Sequence, residues 1–182
     1  MQGIMFIELS RFVDLRLGSG GWARTLSATG LSERVYSPRS PGPDEEFVSL
    51  VNGVSQTAGE PVQTILEAFG EFIAPDLLGG LYGLLVDDGW DLLDFLEHTE
   101  EAIHAAVRVR DPAAKPPRLR TVRSGPDEIF ILYDSPRRLC SVAKGIIRGA
   151  STHFAEPIEI RETRCMLAGA ARCEITVRRR RA

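Results

Sequence analysis

The hydrophobic spacing of this chain changes from helical to strand-like near Asp111, and that change limits the fold more than any other feature. Upstream, apolar residues recur at helical intervals. Phe47, Leu50, Val51 and Val54 stand at i, i+3, i+4 and i+7, the stripe of a helix buried along one side. Asp44, Glu45 and Glu46 precede them, and the macrodipole favours carboxylates at a helix start. The same reasoning predicts helices over 4–16, 22–30, 61–72 and 90–109, with a loop at Ser37-Pro38-Arg39-Ser40-Pro41-Gly42-Pro43. Downstream, Lys115-Pro116-Pro117 closes the helical region. Residues 119–122 and 128–133 read as short strands joined by the turn Ser124-Gly125-Pro126-Asp127. Helical spacing returns over 138–153, through Leu139, Val142, Ile146 and Ala150, and strands follow at 158–163 and 173–177. Helices first, then strands with one helix among them, define the α+β class.

Composition excludes several functions. The 182 residues, 43% hydrophobic and 26% charged, suit one soluble domain large enough to enclose a sizeable ligand. A net charge of -3 gives no electrostatic reason to expect a nucleic-acid partner. The run Arg178-Arg179-Arg180-Arg181 is short and isolated, and reads as a solvated end. No apolar run approaches the roughly 18–20 residues of a membrane span. Glu8, Arg11 and Asp14 interrupt the apolar start, so it reads as a first helix and not as a signal peptide, and the expected location is cytoplasmic. Three cysteines without an export signal argue against a disulfide framework. No G-x-S-x-G, H-E-x-x-H, P-loop or dinucleotide fingerprint is present, which points to a binding protein and not an enzyme.

Two features carry chemistry. Tyr133-Asp134-Ser135-Pro136-Arg137 follows a predicted strand, and continued extension would set residues 133, 135 and 137 on one face. Two hydroxyls and a planar guanidinium suit an anion with several oxygens, although a strand end with a surface arginine has the same spelling. The second feature is His104, at the margin of the apolar stripe formed by Leu93, Leu96, Ile103 and Val107. Chemistry alone leaves it either a metal ligand or a satisfied boundary histidine.

Together these residues resemble the H-NOX (haem nitric oxide/oxygen binding) family, which includes the sensor domain of soluble guanylate cyclase. The resemblance runs through Leu93-Asp94-Phe95-Leu96, Ile103-His104, Pro116-Pro117-Arg118-Leu119 and Tyr133-x-Ser135-x-Arg137. It extends to Lys144-Gly145-Ile146-Ile147-Arg148-Gly149, Met1-Gln2-Gly3 and Leu66-Glu67-Ala68-Phe69-Gly70, and so covers nearly the whole chain. It implies a single H-NOX-like domain. Residues 1–60 would form a helical distal subdomain and residues 61–182 a proximal α+β subdomain with an antiparallel sheet, with b-type haem between them. It implies His104 as the iron ligand, Tyr133, Ser135 and Arg137 on the propionates, and Pro117 pressed on the porphyrin. The implied pocket positions are Met5, Leu9, Ile73 and Val142. Val142 stands where oxygen-binding members carry a tyrosine, so the gas ligands expected are NO and CO. Such a domain signals by weakening or breaking the histidine–iron bond. Its partner would be a separate histidine kinase, diguanylate cyclase or chemoreceptor.

The cysteines leave two readings open. Some bacterial members of the family hold structural zinc with three cysteines and a histidine. Here Cys140, Cys165 and Cys173 match those positions, and Glu162 stands in the histidine's place. The other reading is free or buried thiols. The loop also resembles related 4-vinyl reductase-type domains, so a haem-free small-molecule or zinc-binding module is the alternative function.

Overall fold

A computed structural model describes residues 1–38 and 40–180. Arg39 of the expected loop and Arg181 of the basic run lie outside the described residues. The chain divides into two compact units, Met1–Phe69 and Gly70–Ala182.

The first unit holds α1 (Gly3–Leu17), α2 (Gly21–Ala28), α3 (Asp44–Ala58) and the start of α4 (Val62–Asp76). The helical stripes predict its core. Phe6, Leu9, Phe12 and Val13 of α1 are buried, as are Phe47, Leu50, Val51 and Val54 of α3. Phe12 meets Phe69 edge-on at 5.7 Å, and Phe6 meets Phe47 edge-on at 5.6 Å. The N-terminal ammonium bonds the Gly42 carbonyl at 2.8 Å and pairs with Asp44, which joins the start of α1 to the start of α3.

The second unit is built on a four-stranded sheet. Its strands are β1 (Arg118–Gly125), β2 (Glu128–Asp134), β3 (Ile158–Arg164) and β4 (Cys173–Arg179). Their order is β1-β2-β4-β3, and every pairing is antiparallel. Alternation puts Ile129, Ile131 and Tyr133 on the same face as Cys173, Ile175 and Val177. That face is buried against Leu92, Leu93, Phe95, Leu96 and Ile103 of one helical stretch, and against Ile147 and Ala150 of α7 (Cys140–His153). Each such side chain contributes about 1.5–3 kcal/mol by burial.

That helical stretch carries the principal site residue. Asp91 caps it through a reciprocal pair: the Asp94 N–H donates to Asp91 at 2.8 Å, and the Asp91 N–H donates to Asp94 at 3.1 Å. It then runs as α5 (Leu92–His98), a π-helical segment (Thr99–His104) and α6 (Ala105–Arg110). The apolar spacing predicts the helix but carries no sign of the π segment. Arg123 of β1 donates to Glu97 at 2.8 Å and to Asp94 at 2.5 Å, along the acidic side of α5. Half-exposed pairs of this kind are worth about 0.2–1 kcal/mol each. Apolar burial therefore holds the helix on the sheet, and the ion pairs fix its register.

Two expectations need correction. The basic run is not a free end, because β4 continues to Arg179, which pairs with Asp91 and, at 2.8 Å, with Glu156. His98 stacks on Trp90 with ring centroids 5.0 Å apart. The chain does not stay extended through Arg137: β2 ends at Asp134, and residues 135–138 form a turn.

The end of α4 lies against α7 at glycine contacts. A Cβ on Gly70 would stand 2.2 Å from the Val142 carbonyl oxygen and 3.0 Å from the Gly145 Cα, and one on Gly149 would stand 2.4 Å from the Ala74 Cβ. The Gly70 contacts are backbone atoms, which cannot swing aside. Gly70→Ala should therefore cost about 1–3 kcal/mol. Urea denaturation should show a lower midpoint at an unchanged slope, and an unchanged midpoint would contradict this contact.

Candidate functional site

His104 closes the π-helical segment, and its side chain is 14% exposed. Its Nδ1 lies 3.0 Å from a carboxylate oxygen of Glu100, one helical turn earlier. The same Glu100 oxygen accepts from the Leu119 N–H at 3.0 Å, and its second oxygen pairs with Arg108. Burial pushes the His104 pKa below its ordinary value, against the opposing pull of Glu100. Burial alone would raise Glu100, but the hydrogen bonds from His104, the Leu119 N–H and Arg108 outweigh it and hold the carboxyl below its usual range. At neutral pH the pair is therefore a neutral imidazole beside a carboxylate. A carboxylate beside Nδ1 favours the tautomer protonated there, and in that tautomer Nε2 is the nitrogen able to bind a metal. The Pro117 carbonyl also accepts from the ring, so the Pro-Pro element and His104 are brought together.

Leu119, which holds Glu100, pairs with Tyr133 across β1 and β2. Tyr133 is buried, its hydroxyl bonds the Ser135 side chain, and burial pushes its pKa up to about 12. Ser135 is buried as well, and its hydroxyl accepts from the Arg137 N–H at 3.3 Å. The turn is closed by the Arg138 N–H on the Ser135 carbonyl at 3.0 Å, with Arg138 at φ 51°. It therefore brings Tyr133 and Ser135 together by a route other than strand alternation. Arg137 donates to the Lys115 carbonyl at 2.6 Å, just before Pro116-Pro117.

Of the apolar positions, Met5 is half-buried and Leu9 fully buried in α1. Ile73 lies buried near the end of α4. Val142 lies buried in the first turn of α7, its carbonyl against Gly70. Ser141 beside it is buried, and its hydroxyl has no hydrogen-bond partner among the described residues.

The cysteines form a second cluster. Cys140 opens α7, Cys173 opens β4, and Cys165 follows β3. The Cys165 sulfur lies 3.7 Å from that of Cys140 and 4.0 Å from that of Cys173. Glu162 joins them, and the four ligand atoms lie within 4.8 Å of one another. One Glu162 oxygen accepts from Lys144 at 3.1 Å, while the other is buried without a hydrogen-bond partner. Burial and the neighbouring sulfurs push the Cys140 thiol up. Burial also raises Cys173, against the Met166 N–H, which donates to its sulfur at 3.2 Å.

Sequence reasoning missed Glu100 and Ser141. Glu100 had a legible signal, since it stands four residues before His104 and that spacing makes helical neighbours. The orphaned hydroxyl of Ser141 had none.

The family model described as Haem-NO-binding matches residues 2–162. An H-NOX protein from S. oneidensis in the Fe(II)NO ligation state is similar over 100% of both chains, at 29% identity and a TM-score of 0.92. The NMR structure of the H-NOX domain from Shewanella oneidensis in the Fe(II)CO state matches over 100% of both chains, at 28% identity and 0.88. The Fe(II) unliganded H-NOX protein from K. algicida shares the fold, at 21% identity and 0.85, over 100% of this chain and 98% of that one. No curated protein sequence matches. The chain belongs to the Haem-NO-binding (H-NOX) family, a family of haem gas-sensor domains, and has its α+β fold.

Proposed function

We propose that this chain is a haem-based nitric oxide sensor that signals to a separate protein and is not itself an enzyme. The observation that carries this is the His104–Glu100 pair, a mostly buried imidazole whose pKa burial holds below its ordinary value and whose Nδ1 stands 3.0 Å from a carboxylate oxygen. Neutral imidazole is a good iron ligand, and Nε2 is the nitrogen that would take the metal. The rest of the donor set fits b-type haem. Tyr133 and Ser135 offer hydroxyls and Arg137 a guanidinium to carboxylates, and Pro117 lies by the His104 ring. The bound haem would supply ferrous iron as the attachment point for NO or CO, the gases present in two similar H-NOX structures. His104 would pass the signal on by loosening from the iron when NO binds. A histidine kinase, diguanylate cyclase or chemoreceptor would read the change. No helix among the described residues is long and apolar enough to cross a membrane, and we place the sensor in the cytoplasm.

Selectivity would follow from Ile73 and Val142, which offer no hydrogen-bond donor to a bound gas. Oxygen needs a donor for the partial charge on its outer atom, and a missing buried hydrogen bond costs about 1–3 kcal/mol. That is roughly 5- to 150-fold in affinity. NO relies on its bond to iron and loses little.

We further propose that Cys140, Cys165, Cys173 and Glu162 hold a structural zinc ion. A tetrahedral site with metal–sulfur bonds of about 2.3 Å has edges of about 3.8 Å, against sulfur separations of 3.7 and 4.0 Å here. The second Glu162 oxygen, buried with no hydrogen-bond partner among the described residues, offers the fourth ligand atom beside the three sulfurs.

Three measurements check these readings. His104→Gly should lose haem on purification and regain it with added imidazole, and unchanged haem content with an unchanged ferrous spectrum would refute the ligand. Ferrous protein equilibrated with air should give no stable oxygenated spectrum. Were one to form, a donor must be present, and the unpartnered Ser141 hydroxyl would be the first to test by Ser141→Ala. Elemental analysis of protein purified without chelator should give one zinc per chain. Metal-free protein with three freely reactive thiols would leave the cysteines as packing residues.

A further inference from the structure

Glu100 binds His104 and also ties the π-helical segment to the sheet. One of its oxygens accepts from His104 Nδ1 and the Leu119 N–H, both at 3.0 Å, and the other pairs with Arg108. The carboxylate is only 25% exposed. Three donors from three directions leave it little freedom to turn. A group held this way sets two properties of its partner. It aims the imidazole, since a ring bonded at Nδ1 cannot rotate without breaking that bond. It also sets the ring's electron density. An anionic acceptor draws the Nδ1 proton towards itself and makes Nε2 a stronger donor to a metal, whereas a neutral acceptor does this less. Arg108 works against the effect, because its guanidinium withdraws charge from the same carboxylate.

We infer that Glu100 is the positioning residue that sets the strength of the His104–iron bond, with Arg108 as the counterweight that moderates it. The inference rests on haem ligation by His104. Glu100 would make that bond stronger, and so harder for a gas to break, while Arg108 returns part of the strength. Leu119 ties the same carboxylate to the first residues of β1, so release of His104 would be felt at the edge strand of the sheet.

The two side chains have opposite effects on one bond, and the test uses that opposition. The iron–histidine stretching frequency of the full ferrous protein would be measured by resonance Raman spectroscopy in wild type, Glu100→Gln and Arg108→Ala. Glu100→Gln keeps the size and an acceptor oxygen but removes the charge, so the frequency should fall and haem should dissociate about 10-fold faster. Arg108→Ala keeps the carboxylate and removes the cation on it, so the frequency should rise. A merely structural role would move both variants the same way. Shifts in the same direction, or a wild-type frequency in Glu100→Gln, would overturn the inference while leaving His104 as the ligand. Should Glu100→Gln fail to fold, the sign of the Arg108→Ala shift decides alone. A wild type without histidine-ligated haem would overturn this inference and the proposed function together.

Discussion

One carboxylate sits where the chain passes from helical to strand spacing, and the candidate site is organised around it. Glu100 takes a hydrogen bond from the helix, at His104, and another from the first residues of the sheet, at Leu119. Arg108 neutralises it from one turn further along. The cost of burying that charge is offset by three donors, which is the condition under which a buried carboxylate is tolerated. The result is an imidazole held at Nδ1 by a carboxylate, with its pKa kept below the ordinary value by burial, on a helix whose apolar side packs on the sheet. Pro117 and Tyr133 follow from the same junction: the Pro117 carbonyl accepts from the His104 ring, and Tyr133 is the cross-strand partner of Leu119.

A second junction lies at the start of α7. Its first residues carry Cys140, Ser141 and Val142 in succession, and each faces a different demand. Cys140 belongs to the sulfur cluster, the Val142 carbonyl meets Gly70, and the Ser141 hydroxyl is left without a partner. A helix pinned on two sides so close to its N-terminus has little room to shift. A zinc ion at the cysteines would therefore fix the residue that the family resemblance places beside the bound gas. The three sulfurs stand close enough for one cation to join them, at 3.7 and 4.0 Å from Cys165, and burial pushes the Cys140 and Cys173 thiols up.

The helices and strands were legible because their apolar residues repeat with the periods of the elements that bury them. The stripe at Phe47, Leu50, Val51 and Val54 is buried throughout, and so is the alternating row at Ile129, Ile131 and Tyr133. What escaped was local geometry without a periodic signature. The π-helical segment alters hydrogen bonding and not residue type. The turn at residues 135–138 breaks the strand alternation that Tyr133-x-Ser135-x-Arg137 suggests, yet Tyr133 and Ser135 still meet through it. The arginines at the end of β4 look solvated as a run of charge, and only their distant partners Asp91 and Glu156 show otherwise. Glu100 had a legible signal in its spacing from His104, but a charged residue on a helix is ordinarily surface, and its other partners, Arg108 and Leu119, lie 8 and 19 residues further along the chain.

The central claim is that His104 holds haem through a bond that NO loosens. The most direct measurement is the visible spectrum of the purified ferrous protein before and after addition of NO. A Soret band of five-coordinate, histidine-ligated ferrous haem, which then shifts to that of a five-coordinate NO complex, is the predicted result. A protein without a Soret band, or one whose histidine signature persists unchanged under NO, would contradict it.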